Sequence, residues 1–200
     1  MKKLSVQEIL TSTIKELMDD RSIDEITVKD ILRESGIGRS TFYKYFCDKQ
    51  ELIEYIFQQE LAAPFFWDFS KDLQEREELF LQYLLENRRF YLNALKSTGQ
   101  NSLYQIWLEQ AIHSVQQYLR QHPEYSIIPQ DDLAFYAKFI SYAYVNINIE
   151  WLELNGPIPP EEMARKLGHI LTGGMKGILL DTIREGDGRG HTTDCSSCSG

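Results

Sequence analysis

TVKDILRESGIGRSTFYKYFCDK, residues 27–49, is the stretch of this 200-residue chain on which the fold reading turns. Thr27 stands three residues before Asp30 and just ahead of Val28, Ile31 and Leu32. That is the arrangement of an oxygen-bearing N-cap, an acidic N3 residue and a short amphipathic helix. Ser35-Gly36-Ile37-Gly38 breaks the pattern, because glycine takes the left-handed conformation that ends one helix and turns into the next. Residues 39–46 then form a second short helix. Projected at about 100° per residue, Phe42 and Phe46 fall together, towards a core shared with Ile31, Leu32 and Leu52. Ser40 and Lys44 fall nearly opposite, with Thr41 and Tyr43 on the flanks. Two short helices joined by a tight glycine turn make a helix-turn-helix, whose second helix can be presented to a DNA major groove.

The same punctuation extends outward. Ser5-Val-Gln-Glu8 and Asp48-Lys-Gln-Glu51 repeat the N-cap and acidic N3 pattern, so three helix starts fall within about 50 residues. Each cap has an apolar residue before it and another at N4: Leu4 with Ile9, Ile26 with Ile31, Cys47 with Leu52. Such pairs staple the chain where it enters a helix. Val6, Ile9, Leu10, Ile14, Leu17 and Met18 recur at helical steps. Longer helices are expected over 72–86, 88–97, 102–121, 131–155 and 160–184, separated at Gly99, Pro123, Pro129 and Gly156-Pro157. No segment alternates like a strand, so the expected fold is all-α, with about nine helices. A three-helix domain over 1–49 leads through a helix to about residue 62 into a helical body over 50–184. The glycine- and serine-rich residues 185–200 read as a disordered tail.

Charge sharpens this division. The chain has 21 Lys plus Arg, 30 Asp plus Glu and a net charge of −9. Residues 1–49 carry nine basic and nine acidic side chains, so the whole of the −9 lies after residue 49. Between residues 26 and 49, Lys29, Arg33, Arg39, Lys44 and Lys49 outnumber Asp30, Glu34 and Asp48. An acidic body discourages wrapping by nucleic acid and leaves contact to that small surface. At 42% hydrophobic residues the chain can bury a real core, which excludes disordered and low-complexity classes. No apolar run reaches the roughly 18 residues of a membrane span, and no signal-peptide core is present, so a cytoplasmic protein without membrane contact is expected. Three cysteines are too few for a disulfide framework.

Side-chain chemistry assigns roles on the second helix. Arg39, Ser40 and Thr41 lie at its amino-terminal end, the part that reaches base edges. Arg39 suits guanine O6 and N7 bidentately, and Thr41 suits thymine or adenine. Tyr43, Lys44, Tyr45 and Lys49 offer donors to phosphate oxygens, which fix register. Thr27 and the amides that start its helix add a phosphate site, with Lys29 beside it.

Thr27-Val-x-Asp-Ile, Ser35-Gly36-Ile37-Gly38, Thr41-Phe42-Tyr43-x-Tyr45-Phe46 and Asp48-Lys49-x-Glu51-Leu52 together resemble the amino-terminal domain of TetR/AcrR-type transcriptional regulators, over about residues 5–57. The resemblance implies phosphate contacts at Thr27, Tyr43, Tyr45 and Lys49, and base contacts at Lys29, Arg39, Ser40, Thr41 and Lys44. Tyr45 stands where many members have His, and keeps a donor there. The resemblance further implies a homodimer on a palindromic double-stranded DNA operator, a helical body that binds a small-molecule effector, and repression relieved by ligand. Residues 87–107 also resemble the regulators of dihydroxyacetone kinase operons, some of which are activators working with a protein co-activator. An all-α ligand-binding or interaction module that does not bind DNA is the reading from another class.

In the body, similarity is too weak to carry residues over, and composition takes its place. Residues 131–154 are dense in aromatics and amides, and Tyr83, Trp107, Phe139, Tyr142, Asn146 and Trp151 are expected to line the effector pocket. The glycine-rich helix around Gly168, Gly173, Gly174 and Gly177 lacks the spacing of a phosphate loop; with 131–154 it forms the expected dimer interface. His191, Cys195 and Cys198 do not complete a zinc site, so no metal or cofactor is expected. No Ser/His/Asp set, H-E-x-x-H motif or nucleophile elbow appears, so no enzyme activity is expected.

Overall fold

The first helix, α1 (Val6–Asp20), starts on a complete capping box: Ser5 Oγ accepts from the Glu8 amide and the Glu8 carboxylate accepts from the Ser5 amide. Leu10, Ile14 and Met18 are buried along one face of it. The chain is a computed structural model describing residues 4–66, 72–97 and 102–189. Helix α2 (Val28–Ser35) starts on a second capping box, Thr27 with Asp30, and ends at Gly36 with φ +67°. That left-handed cap turns the chain, and Gly38 in extended conformation opens α3 (Arg39–Phe42). Asp48 caps α4 (Lys49–Phe57), which runs on as a π-helix over Gln58–Phe66. Pro64 lies inside that segment, where it has no N–H to give to a regular α ladder.

The body consists of α5 (Leu73–Glu86), α6 (Arg88–Ala94), α7 (Leu103–Gln121), a 3-10 turn at Pro123–Ile127, α8 (Gln130–Glu153) and α9 (Pro160–Arg189). Helix α7 packs along α8, and α9 along α5. The described residues are thus all-α, as expected, with nine α-helices and no strand. Helix α9 continues to Arg189, so residues 185–189 are helical and not the tail that their glycine content predicts. Isolated glycines weaken a helix by about 1 kcal/mol each, and a long helix already propagating absorbs that cost. His191, Cys195 and Cys198 lie outside the described residues.

The expected staples survive once. Ile26 and Ile31 are fully buried, whereas Leu4 is exposed and so is Cys47. Among the described residues the larger hydrophobic core runs from Ile14 and Ile23 through Phe57 to Tyr91, Trp107 and Leu152. A smaller cluster at Leu119, Tyr125 and Ile128 closes the far end of the body. The amino-terminal helices are tied to the body by more than apolar contact. The Asn93 side chain accepts from the Ile23 amide (2.9 Å) and donates to the carbonyls of Met18 (2.9 Å) and Arg21 (2.6 Å). Lys15 pairs with Glu60 at 2.6 Å, and Tyr91 donates to the same carboxylate.

Candidate nucleic-acid interface and ligand cavity

The regular part of α3 is one turn long, shorter than the eight residues its sequence suggests, yet the geometry of its two faces holds. Phe46 N–H donates to the Phe42 carbonyl (3.0 Å), so the turn at 43–45 keeps helical registry. Phe42 and Phe46 are buried, with their rings 5.9 Å apart, and Tyr55 of α4 packs edge-on against Phe46. Burying those two rings forces the intervening residues outward. Arg39, Ser40, Tyr43, Lys44 and Tyr45 are exposed, and Thr41 is half-buried. The Arg39 guanidinium lies over the Tyr43 ring, 5.5 Å from its centroid, a cation–π contact that holds the cation at the surface. Lys29 is exposed on α2 nearby in sequence.

Two of the expected DNA-contacting residues have internal partners. The Thr27 hydroxyl donates to Asp30 Oδ2 at 2.6 Å and accepts from the Asp30 amide. That bond, with the Thr27 amide and Arg21, holds the Asp30 carboxyl well below the usual carboxylate range. The Lys49 ammonium donates to the carbonyls of Ile23 (2.5 Å) and Ile26 (2.7 Å). It locks the α1–α2 loop to the start of α4. The signal for this in the sequence is only a lysine at N1 of a helix, which does not distinguish a clamp from a phosphate donor.

The body contains a cavity of about 120 Å³ between α5, α7, α8 and α9. Phe65, Leu73, Phe80, Val115, Ile140 and Leu171 form apolar walls; Arg76, Glu77, Ser141 and Tyr144 supply polar groups. Tyr144 OH donates to the Glu77 carboxylate, 3.0 and 2.9 Å from its two oxygens. Burial pushes Glu77 up to about 7, against the opposing pull of Tyr144 and Arg76. The Ser141 hydroxyl is buried without a hydrogen-bond partner.

None of the six side chains expected in a pocket lines this cavity. Phe139 and Tyr142 are 66% and 50% exposed, and Asn146 is exposed beside them, donating to the Tyr142 carbonyl and to Tyr104 OH. Positions 139, 142 and 146 share one face of α8, and that face points away from the body. Trp107 is fully buried in the core against Phe57 and Phe80, and Trp151 donates to the Ile158 carbonyl (3.0 Å). Tyr83 sits near Tyr91 and Glu60, its phenol raised by burial and then by Glu60. Aromatic density along one helix does not say which face turns inward. Glu77, at the core-facing step of Leu73, Phe80 and Leu84, was the readable signal: an acid where the pattern calls for an apolar residue.

Residues 10–56 match the model of bacterial regulatory proteins of the tetR family, and residues 71–173 match that of a transcriptional regulator C-terminal region of the same family. The chain belongs to the TetR family. The HTH-type dhaKLM operon transcriptional activator DhaS of Lactococcus lactis is 33% identical over 95 residues, 45% of this chain and 49% of that protein. An HTH-type transcriptional regulator of Staphylococcus aureus strain USA300 is 37% identical over 75 residues, 35% of this chain and 40% of that protein. The chain therefore matches less than half the length of these curated relatives. Among solved structures, a dihydroxyacetone kinase operon activator DhaS superposes with a TM-score of 0.62 at 23% identity, over 85% of this chain and 96% of that one. The fatty acid degradation regulator FadR from Bacillus halodurans superposes with a TM-score of 0.59 at 15% identity, over 86% and 98%. At these identities the likeness is one of fold. Among the described residues no group of His, Cys, Asp and Glu is placed to hold a metal, and no helix is long and apolar enough to cross a membrane.

Proposed function

We propose that this TetR-family regulator acts in the cytoplasm as a homodimer that reads a palindromic DNA operator with its α3 surfaces and responds to a small molecule held in the α5–α9 cavity. The observation that carries the reading is the two-sided α3 segment: Phe42 and Phe46 buried, with Arg39, Ser40, Tyr43, Lys44 and Tyr45 presented together. In this reading Arg39, Ser40, Thr41, Lys44 and Lys29 read bases, and Tyr43, Tyr45 and Thr27 hold phosphates. Lys49 serves chiefly by fixing the loop that carries Thr27. The unit over 1–49 docks on DNA, α4 connects it, and the body over 50–184 senses and dimerises.

Dimerisation is supported by apolar side chains that the single chain leaves open to solvent. Phe135, Phe139, Tyr142 and Ile147 of α8, with Ile170, Leu180 and Ile183 of α9, are each more than 40% exposed. Large apolar side chains exposed in such number along two helices favour association over the isolated monomer. No heavy atom lies within 4 Å of the position a Cβ would take at Gly168, Gly173, Gly174 or Gly177, leaving room for a partner helix. Two copies of α3 set about one DNA turn apart then read two half-sites. A ligand acts by favouring one spacing of the pair, and Asn93 and Lys15 are the links through which the body shifts α1. Ligand-relieved repression is the first reading of the output; similarity to an operon activator favours activation as the second. Selection from a random duplex library tests the proposal, with sedimentation of the free protein. An enriched inverted repeat and a dimer are expected; a monomer with no enriched sequence would overturn it.

A further inference from the structure

The cavity in the body has a definite chemistry. At about 120 Å³ it is slightly smaller than the roughly 150 Å³ apolar cavity that takes up benzene. Its walls are aromatic and aliphatic: Phe65, Phe80, Val115 and Ile140. Polar groups are set into these walls at Arg76, Ser114, Tyr118 and Thr172, and the ligand reading turns on two others, Ser141 and Glu77. Ser141 is 1% exposed, lines the cavity, and its hydroxyl has no partner. A buried hydroxyl with its hydrogen bond unmade is costly, and a ligand recovers that cost by making the bond. The Glu77 carboxyl takes the one proton of Tyr144 OH across both of its oxygens, leaving acceptor lone pairs over.

The groups on the walls disfavour charged ligands. Arg76 and Glu77 both line the cavity, and burial raises the Glu77 carboxyl against the opposing pull of Tyr144 and Arg76. A charged ligand of either sign would pair with one of these groups, oppose the other and give up its own hydration on entering apolar walls; an uncharged ligand avoids that desolvation. A hydroxyl is the smallest group that both donates and accepts. It can donate to Glu77 and accept from Ser141, answering both wall groups at once.

We infer that the cavity binds a small uncharged molecule with an apolar, ring-sized body and one hydroxyl, positioned by Ser141 and Glu77. The inference rests on reading this cavity as the regulator's effector site. Calorimetry on the full chain tests it with four probes of matched size: phenol, toluene, benzoate and benzylamine. Phenol is expected to bind about tenfold or more tightly than toluene. Ser141→Ala is expected to remove that preference, to leave toluene binding intact, and to raise rather than lower the melting temperature of the free protein, since the unpaired hydroxyl is gone. Val115→Phe, which fills the cavity, is expected to abolish both. Toluene binding equal to phenol, stronger binding of benzoate or benzylamine, or binding of none of the four would overturn the inference. Operator affinity measured with and without phenol separates the two readings. Phenol binding without any change in DNA affinity would overturn the effector role and keep the ligand class. DNA release by another compound that fills the cavity, with no phenol binding, would do the reverse.

Discussion

Asp30 and Glu77 are two carboxylates with opposite surroundings, and they summarise the two halves of the molecule. Asp30 sits near the surface of the amino-terminal helices, where the Thr27 hydroxyl, the Thr27 amide and Arg21 favour its charge and hold it well below the usual range. Glu77 sits inside the body, where burial pushes it up to about 7 despite Tyr144 and Arg76. The first group is committed to holding a short helix in place. The second is left poised, with unused acceptor capacity beside an unpartnered hydroxyl. Surface carboxylates that cap helices build a fixed shape, whereas a buried one costs stability and points to a site that something else completes.

Substitutions can break this contrast. The largest effect is expected from Phe42→Ala, which empties the core beneath α3 at about 3–5 kcal/mol and should abolish DNA binding. Urea denaturation and an anisotropy titration read the two consequences. Next comes the pH response of Glu77. Its folded pKa lies above its ordinary value, so the folded state binds more protons between about 4.5 and 7. Stability from this group is therefore present at low pH and lost as pH rises through about 7, by up to about 3 kcal/mol. Glu77→Gln should flatten the dependence of the melting temperature over pH 5–8, and an unchanged slope would locate the titration elsewhere.

The link between the two halves is tested by Asn93→Ala. It leaves the Ile23 amide and the Met18 and Arg21 carbonyls without their partner, at about 1–3 kcal/mol. If Asn93 transmits the body's state to α1, the variant also weakens the effect of ligand on DNA affinity, seen in titrations with and without it. The smallest effect is expected at the surface cap. Thr27→Ala should cost about 1 kcal/mol of stability, measured by urea denaturation, because only one helix start loses its oxygen.

How far the sequence announced all this differs between the same two halves. The amino-terminal helices are specified by interactions three and four residues apart: Ser5 with Glu8, Thr27 with Asp30, Phe42 with Phe46. Such spacings can be read directly, and their helices start where the pattern put them, although α3 keeps only one regular turn of the expected 39–46. Lys49 is the exception, because its partners at Ile23 and Ile26 lie more than 20 residues away. The body's helices were legible too, from their proline and glycine breaks. Its cavity was not, since it draws on residues from Phe65 to Thr172 whose meeting depends on how five helical segments pack. Composition pointed to the aromatic face of α8 at Phe139 and Tyr142, and that face is turned outward. The opposite face, with Ser141 and Tyr144, closes the cavity. Helix 185–189 was hidden for a related reason: glycines that look like tail are carried along by the thirty-residue α9.

The central claim is that the exposed side of α3 reads DNA. Fluorescence anisotropy with the selected inverted repeat and with random duplex, at several salt concentrations, tests it most directly when wild type is compared with Arg39→Ala and Tyr43→Ala. Wild type should prefer the repeat by about 10³-fold or more, with affinity falling steeply as salt rises. Arg39→Ala should lose about 1–3 kcal/mol of discrimination at one base position, and Tyr43→Ala should weaken binding across all sequences. Equal binding of repeat and random duplex by the wild type, or variants indistinguishable from it, would contradict the account.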